Sequence, residues 1–259
     1  MADPAPAMRV AESRDAGVLT LTLDYPARRN ALAMPLREAL HDILDSAQGD
    51  AEIRAIVMTG AGGTFCSGGD ISGMNVTDAE TGRERMRRTH RIIRLMVAGR
   101  IPIVAAVEGW CVGAGLSLAC ACDTIVAADD ARFMAGFGKV GLIADLGLPF
   151  TLPARIGSGR ARQMFLYGTQ LDAAAAERIG LVDEVVPKGG ALAAATEKAR
   201  FLAAQASLPI ALTKRILAEG LDRALEDERH FQTLCFLSDD HAEGKAAFLE
   251  KREPGFGRR

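Results

Sequence analysis

Aromatic side chains are scarce, at 5% of the 259 residues with one tryptophan. That leaves little for the stacked platforms that hold single-stranded nucleic acid. Neither sign of charge is in excess: the formal net charge is −2 and the pI about 6.1. Nothing therefore draws the whole chain toward a polyanion or an anionic bilayer, and a nucleic-acid partner is disfavoured. Histidine occurs four times, at His41, His90, His230 and His241, with no HExxH or HxH spacing. No metal site is expected from them. The five cysteines are an odd number scattered through apolar segments, which is not a disulfide framework. They are expected to be reduced, mostly buried thiols of a cytoplasmic protein. Cys120 and Cys122, spaced as CxC in an apolar stretch, read as core. No uncharged run reaches bilayer length; Gly109–Cys122 is too short and is interrupted by glycine. The opening "MADPAPAM" lacks a basic then apolar leader, so no signal peptide is expected.

What is present suits one large domain, or one domain with a helical appendage. The chain is 49% hydrophobic and 25% charged, enough for a sizeable core. "VLTLTLD" (18–24) alternates as a half-buried strand does. A helix is expected after Pro35, a strand over 53–59 and a helix over 79–98. "IVAAV" (103–107) and "TIVAA" (124–128) read as buried strands, separated by a short helix opened by "GAGLSLACA" (113–121). Strand, strand, helix recurs, unlike the strict alternation of a doubly wound sheet. After about residue 149 the pattern is mostly helical, with "VDEVVP" (182–187) as a short edge strand. The expected organisation is a disordered tail over 1–8, a mixed α/β core over 9–190, and a helical region over 191–259. The helical region is expected to pack on something, such as another subunit. No sequence repeat of 20–50 residues is visible.

Several motifs come close to known sites and fall short. Six glycines lie between residues 60 and 73, around "FCSGGDISG", with no lysine and no charge but Asp70. A P-loop requires GxxxxGK[ST], so this is not one. Gly113, Gly115 and Leu118 lack the third glycine of a dinucleotide fingerprint. "GLSLA" is one residue from the GxSxG nucleophile elbow, but Gly113–Gly115 already make the corner. Ser117 is then a small packing residue within the helix or, as a rival, a thioesterase nucleophile. Arg83, Arg87, Arg91 and Arg94 fall on one face of the 79–98 helix. The plain reading is a solvated amphipathic face; the rivals are a phosphate contact and an RNA-binding surface.

Two glycine-rich turns, "CSGGD" and "GAG", each follow a buried strand. If the strands are neighbours, the turns lie together at one sheet edge, and the second opens a helix whose first N–H groups favour negative charge. Two such converging N–H groups form an oxyanion hole for an enolate or a tetrahedral oxyanion.

"FCSGGDI" resembles the Phe-Cys-Ala-Gly-Ala-Asp-Ile/Leu segment of the crotonase superfamily, the enoyl-CoA hydratases and isomerases. "PIVAAVEGWCVGAGLSLACACDTIVAADDARF" (102–133) resembles that family's second signature almost end to end. "PARRNAL" (26–32), "AAAAERIGLVDEVVP" (173–187) and "DDHAEGKAAFLEKREPGF" (239–256) match further family segments in order. The resemblance implies a crotonase-type spiral of ββα units with a C-terminal helical trimerisation region, assembled as a homotrimer or a dimer of trimers. It implies an acyl-CoA thioester as substrate and no separate cofactor, since coenzyme A arrives as part of the substrate. The thioester oxygen would lie between the N–H groups of Gly69 and Ala114. Coenzyme A would meet the backbone near Ala31, Ser67, Asp70 and Ile71, and Lys251 would reach its phosphates from a neighbouring subunit.

The acid–base groups decide the reaction. Where the hydratases carry two glutamates, this sequence has Ser117 and Phe137. "GLIADLGLPF" instead supplies Asp145 and resembles the Gly-Leu-x-Pro-Asp-x-Gly segment of enoyl-CoA isomerases, with Ala144 in place of the proline. The expectation is an enoyl-CoA isomerase using Asp145, with Phe137, Leu142 and Phe150 keeping water away. From spacing alone, Asp145 could equally cap the helix starting near Pro149 or lie exposed. The rival functions are an enoyl-CoA hydratase of fatty-acid or aromatic-acid degradation, a thioesterase, and a non-catalytic RNA-binding protein. Glu108 is expected in a turn, and Asp123 capping a helix end or the next strand.

Overall fold

A computed structural model describes residues 8–257. The strands are β1 (Arg9–Asp15), β2 (Val18–Asp24), β3 (Ala55–Gly60), β4 (Ile103–Val107), β5 (Trp110–Val112), β6 (Thr124–Ala128), β7 (Arg132–Met134), β8 (Leu171–Asp172) and β9 (Glu184–Val186). The helices are α1 (Met34–Gly49), α2 (Ala79–Ala98), α3 (Ala114–Ala121), α4 (Leu148–Tyr167), α5 (Ala173–Arg178), α6 (Ala191–Ala203), α7 (Ser207–Leu217), α8 (Leu221–Phe236) and α9 (Asp239–Glu250). The expected disordered tail falls on residues 1–7, outside the described residues, and on Met8, which is half-buried against the core.

Six strands form one sheet in the order β1-β2-β3-β4-β6-β9, antiparallel only between β1 and β2. A second sheet holds β5, β7 and β8. Two turns of the chain, β4–β5–α3 and β6–β7–α4, lay one strand in the large sheet and the next in the small one before the helix. β3, β4 and β6 are apolar along nearly their whole length because both faces are covered. On one face lies the main core. On the other, α6 presents Ala191, Ala195, Ala199 and Ala203 to Val57, Val104 and Val126. Methyl groups at four-residue spacing let this helix sit close to the strands. α6, the first helix of the expected 191–259 region, is thus a layer of the same packed body.

Strands β1, β5, β7 and β8 escape the sequence reading. β1 is a polar edge strand with only Val10 buried, and β5 and β7 have three residues each, too short for any periodicity. β9 is the edge strand expected within 182–187.

Candidate active site

The two glycine turns meet. β3 and β4 pair in parallel, and the chain after each stays paired through Cys66 and Cys111. Cys66 N–H donates to Trp110 O (2.9 Å) and Val112 N–H to Cys66 O (3.0 Å). A Cβ on Gly115 would lie 2.4 Å from Cys66 O, so α3 can dock here only with glycine at that position. Gly113 turns the chain into α3 with φ +53° and ψ −118°. The first turn is braced from behind by Asn30, which is fully buried and whose Nδ2 donates to Thr64 O (2.7 Å) and Ala61 O (2.9 Å).

Between the turns lies a cavity of about 140 Å³. Gly69, Ala114 and Asp145 all line it, as do Ser67, Ile71, Phe137 and Leu142. Among the described residues, neither the Gly69 nor the Ala114 N–H donates to a backbone carbonyl. Ala114 is the first residue of α3, where an N–H has no partner within the helix. The expected apolar neighbour Phe150 is not in the lining; Met74 and Val140 stand there instead. Ala31, Asp70 and Lys251 also lie outside it. Ala31 is buried in the turn before α1, Asp70 accepts from Ser72 N–H and Oγ, and Lys251 is exposed, ending α9.

Asp145 is neither a helix cap nor exposed. It is 4% exposed, and no side chain caps α4. Its Oδ2 accepts from Gln232 Nε2 (3.3 Å), while Oδ1 is buried with no partner. Burial raises the carboxyl pKa, opposed first by the positive charge of Arg37, then by the Gln232 hydrogen bond, Arg85 and His90. The loop that carries it is held from α8. Gln232 accepts from Ile143 N–H (3.1 Å) and donates to Ile143 O (3.2 Å). Glu228, one helical turn earlier, accepts from Gly147 N–H (2.8 Å) and pairs with the buried His90 (2.7 Å). Between these two grips Leu146 adopts φ +53°, a left-handed conformation that costs an ordinary side chain about 1–3 kcal/mol.

Ser117 belongs to the same bracket. Its hydroxyl lies 2.8 Å from Asp145 O and 3.2 Å from Gly113 O, and its side chain is fully buried outside the cavity lining. It tethers the Asp145 loop to α3 and, among the described residues, has no basic partner of the kind a nucleophile needs. Glu108 and Asp123 are structural as well. Glu108 sits in the turn after β4 and accepts from Gly189 and Ala191 N–H at the start of α6. Asp123 accepts from Ile103 N–H (2.7 Å) and pairs with Lys214. On α2, Arg87 pairs with Glu84 and Arg94 with Asp222, so part of that basic face is neutralised. Among the described residues no His/Cys/Asp/Glu cluster could hold a metal ion, and no helix is long and apolar enough to cross a membrane.

Like Lys139, Arg37 is a charged lining residue that sequence reasoning missed. It is 3% exposed and sits on the buried face of α1, a position that would ordinarily be apolar. A charged residue at a core position of an amphipathic helix was the available signal. Phe248 of α9 reaches the cavity from the far end of the chain and carried no such signal.

Residues 13–259 match the family described as enoyl-CoA hydratase/isomerase. The chain is 36% identical over 248 residues to the 1,2-epoxyphenylacetyl-CoA isomerase of Escherichia coli, covering 93% of this chain and 95% of that protein. It is 34% identical over 248 residues to the 2,3-dehydroadipyl-CoA hydratase of the same organism, covering 94% and 96%. A crystal structure of an enoyl-CoA hydratase from Mycobacterium avium subsp. paratuberculosis superposes with a TM-score of 0.86 at 32% identity, over 95% of this chain and 98% of that one.

Proposed function

The chain belongs to the enoyl-CoA hydratase/isomerase family, and from that premise we propose that it is an enoyl-CoA isomerase with Asp145 as its acid–base group. One observation carries the choice: Asp145 is the only carboxylate among the described residues lining the cavity that Gly69 and Ala114 also line. Adding water to a double bond calls for carboxylates to hold and activate it. The two positions where hydratases of this family carry glutamate are Ser117, which ties down a loop, and Phe137, which is apolar.

In this reading the thioester oxygen accepts from the Gly69 and Ala114 N–H groups. The ionised Asp145 takes a proton from C2 or C4 of an enoyl chain, and the electron pair delocalises onto the thioester oxygen as a dienolate. The hole holds that charge without reorganising, an arrangement in which a single donor is worth about 10²–10³ in rate. Asp145, now protonated, returns the proton to the other carbon. The unpartnered Oδ1 is the atom free to exchange it. Apolar walls from Ile71, Leu142 and Phe137 exclude the water that would divert the intermediate.

Coenzyme A would run over the backbone near Ala31, Ser67, Asp70 and Ile71, with Lys251 meeting its phosphates from a neighbouring subunit. The chain would work as a homotrimer or a dimer of trimers in the cytoplasm.

The test is a comparison of 3-enoyl-CoA and 2-enoyl-CoA substrates with wild type and Asp145→Asn. Isomerisation should fall by about 10²–10⁴ in the variant, and hydration of the 2-enoyl thioester by wild type should be slow. Full isomerase activity in Asp145→Asn would remove the assignment. Rapid hydration by wild type would favour the hydratase reading that several relatives' names suggest.

A further inference from the structure

Three charged side chains line the cavity: Arg37, Lys139 and Asp145. Asp145 is tethered by Gln232 (3.3 Å). Arg37 is tethered elsewhere: Nε donates to Leu32 O (3.0 Å) and Nη1 to Thr89 Oγ1 (2.9 Å). Those two bonds fix the guanidinium plane and aim the remaining nitrogen, Nη2. A Cβ built on Gly69 would lie 3.5 Å from Nη2, so this nitrogen stands beside the first glycine turn. Among the described residues, Nη2 has no acceptor, and no ion pair joins Arg37 to Asp145. Both side chains are nearly inaccessible, at 3% and 4% exposure, and both line the same cavity.

A charged donor that loses its water on binding and gains no acceptor in exchange is costly. The chain does not supply that acceptor: Arg37 is held by Leu32 O and Thr89 Oγ1, and Asp145 by Gln232. An occupant of the cavity should therefore supply it. A plain hydrocarbon chain cannot, and would leave Nη2 desolvated and unpaired.

Resting on the reading of this cavity as the acyl site, we propose that Arg37 Nη2 is a subsite for an oxygen acceptor on the acyl group. The preferred substrates are then short acyl-CoA thioesters bearing a carbonyl, hydroxyl or ether oxygen beyond the thioester. Size limits the group, because a cavity near 150 Å³ accommodates about one benzene ring and this one is about 140 Å³.

Binding of saturated thioesters tests this without any turnover. Titration calorimetry would compare hexanoyl-CoA with 4-oxahexanoyl-CoA and 5-oxahexanoyl-CoA, in which one methylene is replaced by oxygen. At least one ether analogue should bind about tenfold or more tightly than hexanoyl-CoA, a ratio in keeping with a hydrogen bond to a charged group. In Arg37→Met, which keeps the length and loses the donors, that ratio should collapse toward one. Equal binding of hexanoyl-CoA and both ethers to wild type would overturn the subsite, and this comparison stands even if the variant fails to fold. An oxygen preference in a protein that does not isomerise enoyl-CoA would refute the reaction proposed above and leave the subsite standing. No binding of any thioester would overturn both.

Discussion

Burial raises the pKa of the Asp145 carboxyl, and the sign of that shift sets two pH dependences. For catalysis, the ionised form is the base, so activity should fall on the acid side at a pH above that of an ordinary aspartate. The groups facing this carboxyl are Arg37 on α1, Arg85 and His90 on α2, and Gln232 and Glu228 on α8. Gln232 donates to the carboxylate and so favours its ionised form. Gln232→Leu should move the acid limb of kcat/KM further up, a displacement that loss of packing alone would not produce. For stability, a carboxyl whose folded pKa exceeds its unfolded value, about 3.9, binds more protons folded than unfolded between the two. Its contribution is therefore lost as pH rises through that window. Asp145→Asn should raise the melting temperature at pH 7, and the gain should vanish below about pH 3.5, where both states carry the proton. A variant no more stable at pH 7 than wild type would show that the carboxylate is not held at a cost. Gly69, Ala114 and Asp145 were legible as a set because each sits in a motif whose residues are contiguous. Arg37 and Gln232 were not, because each acts on residues far away in the chain and looks like one more polar residue in a helix.

At the scale of elements, the site is made by the approach of one turn to one helix. Gly115 sets that distance. Gly115→Ala would place a methyl group 2.4 Å from Cys66 O and 2.8 Å from Cys66 Cβ, which the paired backbone can relieve only by moving α3 away from the first turn. Overpacking of this kind costs about 1–3 kcal/mol. Because it separates the two N–H groups, kcat should fall by about 10² or more. Gly159→Ala is the control: it lies in α4 with nothing within 4 Å of the new methyl. There alanine should stabilise by about 0.5–1 kcal/mol and leave kcat alone. Equal kcat for the two variants would mean that the turn-to-helix distance is not what the chemistry depends on. Apart from the polar edge strand β1, the strands of the large sheet could be read from their apolar runs. The small sheet could not, because three-residue strands carry no period, yet β5 pairing with residue 66 is what joins the two turns. The ββα unit likewise recurs in space without recurring in sequence, since each copy fills a different part of the core.

For the whole molecule, the helices after α6 leave apolar residues outside. Leu208, Leu212 and Ile216 are 68%, 52% and 71% exposed and form one stripe along α7. Phe231 and Leu234 are similarly open on α8. Contiguous apolar surface of this kind marks an interaction site, and the trimer expected of the family would cover it. Sedimentation equilibrium should give three or six times the 27.4 kDa chain mass, and Leu212→Glu with Ile216→Glu should shift it toward the monomer. A wild-type monomer would leave the stripe without the occupant proposed here. The composition of the helical region made this surface foreseeable, whereas its partner helices and the depth of each side chain required coordinates.

The bracket from α8 also bears on how the protein comes into being. The two glycine turns and the Asp145 loop leave the ribosome well before residues 228 and 232, which grip that loop at Gly147 and Ile143. Until α8 arrives, the loop is held by the Ser117 hydroxyl and the local Leu148 N–H, both on Asp145 O. A nascent chain of some two hundred residues can therefore hold all six strands of the large sheet before the bracket is complete. The grips at residues 228 and 232 come with the last eighth of the 259-residue chain. Activity recovered on refolding is accordingly a stricter gauge of the native state than secondary structure, because it registers contacts that span most of the polypeptide.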